Sequence, residues 1–134
     1  MFEVDVNTGA IQMHSGDTGA FVAAARRTDD VDFTADDRAV YTIRDASGTI
    51  VLQRIYPLDT ELGNGNVLVE FHNADTDTWA PGTYYTEMRY VIHPYYSDDN
   101  AVPDDGDIVR TPRQTDDSLD AHSTLTILEV YAKI

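Results

Sequence analysis

The chain has 134 residues, 24 acidic against 9 basic, a formal net charge of −15 and no cysteine. Disulfides, thiolate metal sites and cysteine nucleophiles are thereby excluded, and a surface this acidic is a poor partner for the phosphates of nucleic acid. No apolar run approaches the ~20 residues of a membrane span, and the opening Met1-Phe2-Glu3-Val4-Asp5 is acidic and alternating rather than basic then apolar, unlike a signal peptide. The expectation is therefore cytoplasmic synthesis with no membrane and no nucleic-acid partner. Residues 1–134 are of the size of one domain, long enough to bury a core without staples.

In chain order, Phe2, Val4 and Val6 alternate with Glu3 and Asp5 as a first strand, and Asn7-Thr8-Gly9 turns it into a second around Ile11 and Met13. Gly16-Asp17-Thr18-Gly19 is a tight turn. Phe21 to Ala25 is ambiguous by propensity, since alanine favours helix, but its brevity between strands predicts a buried strand. Arg26 to Arg38 is an Asp-rich loop anchored by Val31 and Phe33. Ala39 to Ile43, the Asp45-Ala46-Ser47-Gly48 turn and Thr49 to Tyr56 make the clearest hairpin, ended by Pro57. Leu58 to Asn66 is a connection around Gly63-Asn64-Gly65, and Val67, Val69 and Phe71 form the next strand.

Asn73 to Gly82 crosses to the longest alternating stretch. There Tyr84, Thr86, Met88, Tyr90 and Ile92 share one face, and Thr83, Tyr85, Glu87, Arg89, Val91 and His93 share the other. A period of two is what a half-buried strand requires. His93-Pro94 stops it, because proline cannot donate to a ladder. Tyr95 to Gly106 is an exposed excursion, Asp107 to Thr111 a short strand and Pro112 to His122 a second loop. Ser123 to Ala132 carries apolar groups on both faces, as a central strand does. Eight to nine short strands with regular turns predict an all-β, antiparallel sandwich or barrel.

Aspartate pairs recur at Asp29-Asp30, Asp36-Asp37, Asp98-Asp99, Asp104-Asp105 and Asp116-Asp117. Aspartate suits turns because its carboxylate bonds its own backbone, so these pairs solvate loops. Asp98 to Asp107 is the best calcium candidate, yet its spacing is not that of an EF-hand and Pro103 interrupts it. Asp17-Thr18-Gly19 is the triplet of aspartic proteases, but Ser15-Gly16 precedes it in place of apolar residues, and Glu61-Leu62-Gly63 frames no such site. His14, His72, His93 and His122 are isolated from one another, which gives no zinc spacing. There is no nucleophile elbow and no phosphate loop. Hence no catalytic residue, no metal and no cofactor is assigned.

Two constellations remain. Pro81-Gly82 bends the chain into Tyr84, with Asp75 upstream; in immunoglobulin-like sandwiches a tyrosine so placed bonds back to the backbone and pins a crossing between sheets. Asp75, Gly82 and Tyr84 are thus the candidate structural corner. Trp79, Tyr95 and Tyr96, in an aromatic-rich region, are the candidate ligand-binding residues, since rings beside aspartate and asparagine can cradle a sugar.

Across the chain, the opening hairpin, Gly16-Asp17-Thr18-Gly19-Ala20-Phe21, the run from Asp37 to Arg44 and the stretch from Asp75 to Tyr85 resemble small N-terminal domains of phage and prophage tail or baseplate proteins. The resemblance implies an immunoglobulin-like sandwich serving as a non-catalytic assembly module, with protein partners that include further copies of itself and a place in the virion. The alternative expectation is a module for a glycan or another cell-surface ligand.

Overall fold

The computed structural model describes residues 1–24, 32–35, 37–63, 65–91 and 123–134. The predicted strand at 107–111, the acidic stretch 98–107, Tyr95, Tyr96, His93 and His122 lie outside them. The described residues form eight strands and a single helical turn: β1 (Phe2–Val4), β2 (Ile11–His14), β3 (Gly19–Ala24), β4 (Arg38–Arg44), β5 (Ile50–Pro57), β6 (Asn66–Phe71), α1 (Asn73–Thr76), β7 (Gly82–Val91) and β8 (Ser123–Tyr131). The protein is all-β. One sheet has the order β1-β2-β8-β7-β4-β5, and β3 pairs with β6 in a second, smaller sheet.

Local pairing follows the turns. β1 meets β2 antiparallel, with Phe2 opposite Met13. β4 meets β5 across a turn in which the Asp45 carboxylate accepts the Ser47 and Thr49 amides at 2.9 and 3.0 Å. Gly48, at φ 88°, supplies the left-handed residue that such a turn requires. The expected antiparallel sandwich is corrected at one place: β2 runs parallel to β8, with Ile11 opposite Leu128. A parallel pair needs a long connection, and nearly the whole chain lies between these two strands, so no turn dictates their direction.

The alternation in β7 has the predicted faces. Tyr84, Thr86, Met88 and Tyr90 are buried, and they oppose Ile43, Tyr41 and Ala39 of β4 and Leu128 of β8. Facing them from the small sheet are Phe21, Val67, Val69 and Phe71. Phe71 is the hub of the ring contacts, with centroids 5.3 Å from Phe2, 6.3 Å from Phe21, 6.2 Å from Tyr41 and 6.1 Å from Trp79. Phe33 anchors its loop in this core, as expected, and Leu58, which sequence placed in a mere connection, is fully buried there.

Two expectations of burial need correcting. β3 is half-buried rather than buried: Phe21 and Ala23 point inward, while Val22 is 57% exposed beside Leu68. A sheet with one covered face leaves alternate residues in water. β8 is central by pairing, yet over residues 126–131 the burial alternates: Leu128 and Val130 are buried, while Ile127 and Tyr131 stand on the outer face.

Candidate functional site

The corner comes first because its geometry is closed. Trp79 follows α1, and after Ala80-Pro81 the chain enters β7 at Gly82 with φ 150°, a backbone region open to glycine. Tyr84 then folds back, and its hydroxyl donates to the Ala80 carbonyl at 2.7 Å. Burial, and next the charge of Asp45, push the Tyr84 phenol above its ordinary value. Asp75 takes part differently from Tyr84. It accepts the His72 amide at 3.1 Å, closing the first turn of α1, and receives Arg54 Nη2 at 2.7 Å from β5.

Trp79 is corrected as a ligand residue. Its indole is 5% exposed, stacked on Tyr84 at 5.8 Å and edge-on to Phe71. A ring whose faces are spent on core neighbours has none to offer a sugar. Tyr95 and Tyr96 lie outside the described residues.

Asp17 is a turn residue. Its carboxylate accepts the His14 amide at 2.8 Å and pairs with the Met1 ammonium at 2.8 Å. That bond to the ammonium, against some opposing burial, sets its pKa below the ordinary carboxylate value. The Thr76 hydroxyl donates to the Asp17 carbonyl at 2.9 Å, which ties this turn to α1. His14 Nδ1 lies 2.8 Å from the Ala132 carbonyl, and His72 sits exposed 3.3 Å from Glu70. Among the described residues no three histidine, aspartate or glutamate side chains converge as a metal-ligand set.

No family model, curated protein or solved structure matches the chain.

Two surface features were not singled out from the sequence. On the outer face of the large sheet Tyr85 lies directly across from Ile127, 52% and 45% exposed, with Tyr131 further along β8. The signal was available: Tyr85 is the aromatic member of the polar face of the β7 alternation. The second is a groove of about 700 Å³ between the sheets. Its walls are β1 and β3, and its floor is formed by Tyr41, Thr86, Met88, Tyr90 and Thr126. The floor is mostly apolar. Thr86 and Thr126 bond to one another, while the Tyr41 hydroxyl, on a residue only 2% exposed, has no hydrogen-bond partner among the described residues.

Proposed function

We propose that this chain is a non-catalytic assembly module, an immunoglobulin-like sandwich of the kind used in phage or prophage tails and baseplates. The strand order supports the fold. A sheet β8-β7-β4-β5 faced by β3-β6 has the arrangement of the G, F, C and C′ strands over B and E in variable-type immunoglobulin domains. The Tyr84 bond at the entry to β7, the fifth of those six strands in chain order and so at the F position, agrees with a tyrosine corner.

The observation that carries the assembly role is the Tyr85–Ile127 pair. Tyrosine and isoleucine held opposite one another on a sheet face, half in water, form a contact surface with little side-chain entropy left to lose. The glycan alternative has no such observation behind it, since Trp79 is in the core.

The test is sedimentation across a wide concentration range, at low and high salt. Copies carrying −15 each repel, so association through this face strengthens as salt screens the charge. Tyr85→Ser should weaken it without moving the unfolding midpoint. A strict monomer at high concentration in both salts, with Tyr85→Ser indistinguishable from the parent, overturns the assembly reading. The phage setting has its own test in the gene neighbourhood, where tail or baseplate genes should adjoin.

A further inference from the structure

β3 borders the groove along its edge. Its partner β6 lies on one side, and among the described residues no strand pairs with the other. Ala20 to Ala24, five consecutive residues, all line the groove. Side chains alone would bring only every second residue to one face, so the backbone of β3 lines it too. Phe2 and Val4 of β1, the edge of the large sheet, stand across. A strand edge with unpaired N–H and C=O groups is a template for another strand, and proteins ordinarily blunt such edges with charge, lysine or proline. Gly-Ala-Phe-Val-Ala-Ala has none of these.

We propose that the groove between β1 and β3 accepts one extended strand of a partner protein. It hydrogen-bonds along β3, points small apolar side chains at Met88 and Tyr90 at alternate positions, and carries basic residues between them. Five residues at ~3.3 Å each match a stretch of about 17 Å along β3. This deepens the assembly reading and rests on it: in a full immunoglobulin sandwich the position beside the B strand is taken by strand A. Charge selects the partner. The chain carries −15 and Asp5 is the charged residue of the groove lining, so a basic strand is attracted where a second copy of this chain is repelled. Main-chain pairing then supplies affinity, and the alternate pockets supply selectivity.

The experiment is amide hydrogen exchange on the full chain, read at Ala20 to Ala24, with a short synthetic peptide alternating valine and lysine as probe. At a peptide concentration ~ten times its Kd, exchange at the outward-facing amides of β3 should slow about tenfold. A peptide alternating valine and glutamate should protect less. Ala23→Leu, which fills the groove from the small sheet, should abolish protection in a chain that still unfolds cooperatively, and Ala23→Val is the milder substitute if that variant misfolds. Four results overturn the proposal: β3 amides already protected in the dilute free chain, protection produced by raising protein concentration alone, equal protection by the acidic peptide, or peptide binding that leaves β3 exchange unchanged. The two ideas fail separately. A monomer whose β3 edge still takes the basic peptide removes the Tyr85 face alone, and an associating protein whose β3 amides ignore it removes the strand site alone.

Discussion

Tyr84 donates its hydroxyl to the carbonyl of Ala80, 2.7 Å away and four residues upstream, while its ring stacks on Trp79. One side chain thus holds the bend at Pro81-Gly82 by a polar contact and an apolar one. Tyr84→Phe keeps the stack and removes the bond. It should cost about 1 kcal/mol, the usual net worth of such a hydrogen bond. Urea unfolding followed by Trp79 fluorescence measures it, and an unchanged midpoint would show that the corner does not depend on the hydroxyl.

Asp75 gives the chain an acid-sensitive joint. Burial works against its charge, but the His72 amide and then Arg54 outweigh that, and its pKa falls below the ordinary 3.8. A carboxylate depressed in the folded state contributes stability that is complete above the unfolded value and lost as pH falls through the lower, folded one. The loss therefore belongs below pH 3.8. Asp75→Asn removes the ion pair with Arg54 while its amide oxygen can still accept the His72 amide, and should cost about 1 kcal/mol at neutral pH. Denaturation midpoints of parent and variant, taken at falling pH, should converge at the acid end.

These two sites show what the sequence could and could not carry. The bend before Tyr84 was legible because proline, glycine and the following alternation are local signals. α1 was not: a single turn at Asn73–Thr76 has no period, and it is closed by an arginine from β5, 21 residues away. Trp79 was misplaced for a related reason, since a residue in a connection has no alternation to say which way it points. The parallel pairing of β2 with β8, and the groove walled by β1 and β3, arise from strands remote in sequence. Pairing of that kind leaves no trace in spacing.

Gly19 begins β3 where the chain passes under Phe2, and a Cβ built there would overlap the Phe2 ring. Its backbone angle is ordinary for any residue, so the constraint is contact rather than conformation. Phe2 in turn packs on Phe71, the centre of the ring cluster. Gly19→Ala should therefore destabilise by about 1–3 kcal/mol, as overpacking does. Combining it with Phe2→Ala should cost less than the two single changes added together, because the overlap disappears. Thermal unfolding of the four proteins closes the cycle, and strict additivity would rule the contact out as the cause.

Tyr41 should behave opposite to Tyr84. Its phenol is buried in β4 at the groove floor, and burial, only partly offset by the Thr86 hydroxyl, raises its pKa far above the ordinary 10.0. A group raised in the folded state gives stability that is full below the unfolded value and lost as pH climbs from there toward the folded one. Above pH 10 the loss should approach about 1.4 kcal/mol per pH unit for this residue. Among the described residues no group meets the hydroxyl in hydrogen-bond geometry, the nearby Thr86 hydroxyl being bonded to Thr126, so Tyr41→Phe removes a desolvated polar group and should raise stability at neutral pH by about 1 kcal/mol. The same change should flatten the alkaline slope. Urea midpoints for parent and variant at neutral pH and above pH 10 read both effects. A Tyr41→Phe protein less stable than its parent would mean that the hydroxyl is paired in solution.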